Sequence, residues 1–285
     1  MSTLAEQLGY TRDARILIVH ADQLGFCHAA NVGVYGSLRQ GVATSASLMV
    51  PCPWARGAAA AYRGDDVGVR LTVIAEHDRY RWGPITHAPS LLDGDGGFPR
   101  TVTDLWDHAD VEEVRRECRA QVERAIVWGF DVSHLDVHLP TVLLRPEFFD
   151  VYLELALEFQ LPLRLPGAAD EEPAGFPFRS LAADEGVIFP DELLPGIAAD
   201  SDPRLLERLA DLGPGVTELR LRPAVDSPEL RAMVGDGDDR VHDFDLLRRG
   251  SLLADALERH GMTCIGYREL RQLMRAGHHT SRRPR

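Results

Sequence analysis

Short apolar runs rich in β-branched residues recur along this chain between segments of helical periodicity, and this alternation restricts its fold more than any other feature. Runs near residues 15–19, 42–50, 67–73, 132–137, 161–165, 216–221 and 263–266 have strand length. Several are apolar without a period-2 break, as expected of strands buried on both faces in a parallel sheet covered by helices. The spacers fit that picture. Residues 110–128 place Val111, Val114, Cys118, Val122, Ala125 and Ile126 on one helical face, with Asp110 as cap and Gly129 as stop. Further helices are predicted over residues 31–40, 55–62, 147–159, 203–212, 244–260 and 267–274. The expected fold class is α/β, a single (β/α) barrel over residues 15–276. A polar lead-in (1–14) precedes it and a disordered tail (277–285) follows. Two long excursions, 76–108 and 166–200, interrupt the alternation, and segments of that length inside a compact domain usually serve function. The acidic stretch 236–239 reads as mobile.

With 285 residues, 45% of them apolar, the chain can bury a core without staples. A net charge of −13 argues against nucleic acid or an anionic membrane as partner, since both need clustered basic residues. Every basic residue is arginine, so Schiff-base, pyridoxal-phosphate and P-loop lysines are all excluded. Cys27, Cys52, Cys118 and Cys264 are far apart and read as buried thiols of a reducing compartment. No apolar run approaches 18 residues and no basic-then-apolar leader opens the chain. A cytoplasmic protein acting on a small molecule is the expectation.

Chemistry-bearing residues gather where the runs end. The first run stops at His20, Asp22 and Gln23, and Gly25 then turns the chain. In parallel α/β proteins, ligand groups collect at that carboxyl edge of the sheet. The run near 132–137 carries His134, Asp136 and His138; Asp136 and His138 share a strand face at i and i+2, which favours joint membership of a site. His134 reads as structural. Arg70 and Arg222 end two other runs, and Tyr80 and Trp82 in the first excursion are candidates for a wall against a ring-bearing ligand.

Several collinear segments carry a resemblance. They include His20-Ala21-Asp22, the run Thr44 to Trp54, Tyr80-Arg81-Trp82-Gly83-Pro84, His134-Leu135-Asp136-Val137-His138, Pro223-Ala224-Val225-Asp226 and Gly266-Tyr267-Arg268-Glu269-Leu270. Over residues 14–272 the chain resembles the YdjC/ChbG (HpnK-like) carbohydrate deacetylases. That resemblance implies a distorted (β/α) barrel, often dimeric, that removes N-acetyl groups from sugars with one divalent metal. In the family pattern the position of Asp22 resembles the general base, and Asp136-x-His138 is the ligand strand. Three positions depart from it. Gln23 stands where the pattern has a ligating Asp, Arg70 where it has a ligating His, and Arg222 where a His resembles the catalytic acid.

Those departures set the functional expectation. A catalytic divalent ion takes neutral or anionic donors, typically three from the protein. An amide oxygen compensates a dication poorly, and guanidinium has no lone pair to offer. At 4 Å and an effective dielectric near 20, a +1/+2 pair costs roughly 8 kcal/mol. The residues therefore predict no cofactor and a metal-independent acid–base enzyme: proton abstraction, elimination, cyclisation or isomerisation on a small polar or anionic, sugar- or natural-product-derived substrate. Asp22, His138, Arg70 and Arg222 are its expected catalytic groups, with Gln23, Asp136, Tyr80, Trp82 and His20 binding substrate. One alternative is a metal-dependent N-deacetylase holding Mg or Zn on Asp22, His138 and His20. The other is a silent homologue or ligand-binding regulator, in which Arg70 and Arg222 merely neutralise Asp22 or Asp136.

Overall fold

The computed structural model describes residues 2–196 and 202–281. The apolar runs become seven strands: β1 (Arg15–Leu24), β2 (Ser45–Leu48), β3 (Val67–Leu71), β4 (Val132–Val137), β5 (Glu192–Pro195), β6 (Gly215–Leu221) and β7 (Thr263–Cys264). All pair in parallel in the order β4-β3-β2-β1-β6-β5, and β7 adds to the start of β1. The sheet curls until its outer strands are joined through irregular chain. Leu163 bridges Leu135 of β4, and its N–H donates to the Ile188 carbonyl at 3.0 Å. This is the α/β architecture expected, a barrel distorted where that seam replaces a strand. Residues 161–165, expected as a strand, supply only the single bridge at Leu163. The proline-rich excursion contributes β5 instead.

The barrel interior is filled in layers, as side chains alternate along each strand. Ile16, Ile18, Val216, Ile265, Tyr267 and Leu270 close the amino-terminal end with an apolar plug. Above it the interior turns polar: His20, His134 and Glu218 are fully buried, followed by Asp22, Ser47, Arg70 and Asp136. Gly68 explains how a histidine fits there. A Cβ at Gly68 would collide with the His134 ring and carbonyl, so the glycine makes room for an imidazole stacked on Tyr267, with ring centroids 3.7 Å apart.

Helices cover the outside. In the helix Val111–Val127, Asp110 accepts from the N–H groups of Glu112 and Glu113 as a cap should. The buried Glu117 of that helix accepts from the Thr86 N–H at 2.9 Å and from its hydroxyl at 2.6 Å, pinning the first excursion to the barrel.

Four other expectations are corrected. The acidic stretch 236–239 opens a helix, Gly237–Leu246, whose first turn carries Asp238 and Asp239; acidic side chains favour that end of the helix dipole. The single helix expected over 244–260 is two, Gly237–Leu246 and Leu252–Arg259. The helix Tyr267–Ser281 runs past residue 277, where a tail was expected to begin, while residues 282–285 lie outside the described residues. Cys27, Cys52 and Cys118 are buried, but Cys264 is exposed. No helix among the described residues is long and apolar enough to cross a membrane.

Candidate active site

Strands β1, β3, β4 and β6 deliver charged side chains to one buried knot. Arg70 Nη1 lies 2.6 Å from Asp136 Oδ2 and 3.0 Å from Asp22 Oδ2. Arg164, on the seam beside β4, reaches further. Its Nη1 lies 2.9 Å from Asp22 Oδ1 and also donates to Asp136 Oδ2, while its Nη2 donates to Glu218. Ser47 donates to the same Asp136 oxygen at 3.0 Å, and the Tyr267 hydroxyl donates to Glu218. Every one of these charges is nearly or fully out of water. Buried charges persist only when paired and hydrogen-bonded, and here three carboxylates face two guanidiniums.

The electrostatics follow from that packing. Burial pushes the Asp22 carboxyl up, but Arg164 and then Arg70 outweigh it and hold the group well below the usual carboxylate range. Burial, reinforced by the neighbouring His20, holds the His134 imidazole well below its ordinary value. His20 Nε2 lies 3.1 Å from His134 Nε2, and His20 Nδ1 lies 3.0 Å from Asp22 Oδ1 at an angle too poor for a hydrogen bond. Burial also pushes the Tyr267 hydroxyl up, and Glu218 adds to it.

His138 stands beside the knot. Its Nδ1 takes a long bond from Arg70 Nε at 3.4 Å, so the ring proton resides on Nε2, which lies 2.9 Å from Glu76 Oε2. Burial raises Glu76, but its pairing with His138 overrides that and draws the carboxyl down to about 2.

Above the knot, at the carboxyl edge of the strands, opens a pocket of about 330 Å³ lined by Arg70, Arg164 and Arg220 together with Val137, Leu139 and Leu143. Asp22 and Asp136 are absent from its lining, because the two guanidiniums stand between them and the opening.

A family profile described as YdjC-like protein matches residues 16–258. The chain belongs to the YdjC-like family. A carbohydrate deacetylase of Thermus thermophilus is 36% identical over 93% of this chain and 98% of its own. One from Geobacillus stearothermophilus is 32% identical over 91% and 99%. A crystal structure from Enterococcus faecalis, of a protein named for cellobiose-phosphate cleavage, superposes with a TM-score of 0.76 at 25% identity, covering 90% of this chain and 99% of its own.

Membership in the YdjC-like family, with the site in view, overturns the expectation of no cofactor. The relatives are named carbohydrate deacetylases, an activity that the family resemblance ties to one divalent metal, and among the described residues His20, Asp22 and Asp136 each present one ligand atom, all within 4.8 Å of one another. The donor set suits a divalent ion: an imidazole and two carboxylates. The buried His20 Nδ1, Asp22 Oδ2 and Asp136 Oδ1 each make no hydrogen bond, although Asp22 Oδ2 keeps its ion-pair contact with Arg70. A buried polar atom left unpaired is costly unless a missing partner fills the gap, so these residues fit a metal. The sequence reading tested the substituted positions, Gln23 and Arg70, and found them hostile. The alternative set of Asp22, His138 and His20 fares better: Asp22 and His20 of β1 are in place, and Asp136 of β4 stands in for His138.

The structure sorts the other sequence candidates. Arg222 does not join Arg70: it pairs with Asp236 at 2.7 Å and is 37% exposed. Pro223 follows it, and the Arg222 N–H turns from the sheet to Asp243 Oδ2 at 2.8 Å, so the strand alternation stops before it. Arg220, two residues earlier, faces the pocket instead. Gln23 is held by Arg240, whose guanidinium donates to its amide oxygen, with its backbone at φ 71°. Tyr80 and Trp82 do not line that pocket. The Tyr80 hydroxyl donates to the Phe26 carbonyl at 2.6 Å, and the buried Trp82 indole donates to the Ile74 carbonyl at 2.9 Å behind His138. Arg164, Glu218, Arg220 and Glu76 were missed. A signal existed for three of them: Arg164 is a lone charge in Leu161-Pro-Leu-Arg-Leu-Pro166, and Glu218 and Arg220 alternate with leucines along β6.

Proposed function

We propose that this chain is a metal-assisted carbohydrate deacetylase that hydrolyses the N-acetyl group of an amino sugar to acetate and a free amine. The observation carrying the proposal is the trio His20 Nδ1, Asp22 Oδ2 and Asp136 Oδ1, clustered without hydrogen bonds and buried under a pocket at the carboxyl edge of the barrel. The curated names of the Thermus and Geobacillus relatives support the reaction class. His20, Asp22 and Asp136 would hold the ion, which when bound polarises the amide carbonyl and acidifies a water.

The remaining roles belong to the chain. Asp22, kept ionised by Arg164 and Arg70, keeps its negative charge for the ion it would hold. Arg70 offers a fixed positive charge where the amide oxygen becomes anionic. His138, held by Glu76 at Nε2 and by Arg70 at Nδ1, fixes the Arg70 guanidinium in place beside the site. The apolar flank of Val137, Leu139 and Leu143 excludes water from the reacting face.

Acetate release from N,N′-diacetylchitobiose tests the proposal, measured on protein as purified, after chelation, and after return of zinc or magnesium. Release that a chelator abolishes and a metal restores is the expected result. No release from protein carrying a stoichiometric metal would sink it and favour a silent, ligand-binding homologue, the reading in which Arg70 and Arg164 simply neutralise the carboxylates.

A further inference from the structure

The His134 imidazole lies at the floor of the site with little freedom to turn. Its ring stacks on Tyr267, with centroids 3.7 Å apart and planes 13° from parallel. A Cβ at Gly68 would come within 2.4 Å of its Nδ1, so a glycine is needed to leave the ring its space. Both ring nitrogens are engaged. Nε2 lies 3.1 Å from His20 Nε2, and Nδ1 lies 2.9 Å from Ser133 Oγ. All three residues are fully buried, so water does not compete for these contacts.

Between two neutral imidazoles at 3.1 Å, one nitrogen donates and the other accepts. That choice propagates along the row. With the hydrogen on His20 Nε2, His134 accepts it and carries its own on Nδ1, toward Ser133 Oγ. His20 Nδ1 then keeps a lone pair. In the opposite order Ser133 donates to His134 Nδ1, His134 Nε2 donates to His20, and the His20 hydrogen sits on Nδ1. That nitrogen is 3.0 Å from Asp22 Oδ1 but makes no hydrogen bond with it, and a nitrogen bearing a hydrogen is closed to a metal ion.

We infer that His134 is a positioning residue for His20: by accepting the His20 Nε2 hydrogen, it fixes the tautomer whose Nδ1 offers a lone pair beside Asp22 and Asp136. The inference rests on the deacetylase proposal for the trio that holds the ion, and adds how one member of it is kept ready. A ligating histidine is oriented through its other nitrogen, commonly by a carboxylate or a carbonyl. Here a second imidazole, anchored on a serine hydroxyl, takes that part. The simple alternative is that His134 only fills space against Tyr267. Filling accounts for the stack and for Gly68. It does not account for two rings set 85° apart with nitrogen aimed at nitrogen.

Zinc affinity, read by competitive chelation, and melting temperature are compared for the intact protein, His134→Phe and His134→Gln. Phenylalanine keeps a ring against Tyr267 and removes the acceptor; the glutamine amide oxygen restores an acceptor near the place of Nε2. The expected result is a roughly 10- to 100-fold loss of zinc affinity in His134→Phe, most of it recovered in His134→Gln. Equal affinity in all three proteins, or the same loss in both variants, overturns the inference and leaves the trio standing. Should the variants fail to fold, the intact protein decides. With its histidine nitrogens isotope-labelled and zinc bound, proton–nitrogen correlation spectra are expected to show the His20 hydrogen on Nε2 and the His134 hydrogen on Nδ1. A His134 hydrogen on Nε2 refutes the inference. An intact protein that takes up no zinc defeats the trio itself, and this inference with it.

Discussion

Arg70 occupies a position where the family pattern carries a metal-binding histidine, and the structure gives it a different duty: it bonds Asp136 and approaches Asp22. Its charge and a dication want the same oxygens, so the two compete. Arg70→His removes that competitor and supplies a lone pair at the mouth of the trio. Zinc affinity should rise by one to two orders of magnitude, on the scale of about 1.4 kcal/mol per tenfold, read by competitive chelation and by metal content after dialysis. An unchanged affinity would mean the ion does not sit beside Arg70. At this scale the sequence was informative about residue type and misleading about company. Asp22 and His138 lay where the strand ends put them, but nothing in the chain order brings Arg164 against both Asp22 and Asp136.

Among the elements, β3 shows how a strand is shaped by what lies across the barrel. Gly68 has no turn to make; it faces inward and yields its side-chain volume to His134. Gly68→Ala forces a methyl into a packed polar layer and should destabilise the fold by about 1–3 kcal/mol, visible as a lower urea midpoint at unchanged m-value. The helix Gly237–Leu246 carries a second test. Asp243 is 4% exposed, one of its oxygens has no partner, and burial pushes its carboxyl up to about 6. A carboxyl raised in the folded state is stabilising while protonated. Its cost therefore grows as pH rises from near the ordinary value of 3.8 to about 6 and is full above that. Asp243→Asn keeps an acceptor for the Arg222 N–H and removes the charge. It should stabilise the protein at pH 7 by on the order of 2 kcal/mol and by almost nothing at pH 4. Equal gains at both values would contradict the burial argument. Six of the seven strands were legible from periodicity, whereas this helix, whose acidic opening read as mobile, and β5, in a proline-rich segment, were not; pairing with β6 rather than intrinsic preference makes β5 a strand.

For the molecule as a whole, Arg164 acts as the internal tie of an incompletely closed barrel. From the seam where Leu163 bridges Leu135, it reaches Asp22 on β1, Asp136 on β4 and Glu218 on β6. Arg164→Met keeps most of the apolar stem but leaves three carboxylates facing one another, and Arg70 alone cannot compensate them. Removing one partner of a buried ion pair costs about 3–5 kcal/mol, so the melting temperature should fall by roughly 10 °C or more for a chain of this size. A loss of a degree or two would mean that the seam, and not the charge knot, holds the barrel shut.

The amino-acid sequence by itself determined the α/β alternation, the parallel sheet, the edge at which a site could form and the family resemblance, because hydrophobic period and strand-end chemistry are local properties of the chain. It also placed Asp22, Asp136, His20 and His138 at strand ends. Only the tertiary structure decided which of them meet. The twist and curl of the sheet set His20, Asp22 and Asp136 within reach of one ion, turned Arg220 rather than Arg222 into the pocket, and brought in Arg164 from the seam. Those pairings join residues up to 142 positions apart, and their energies depend on shared burial that no single segment encodes.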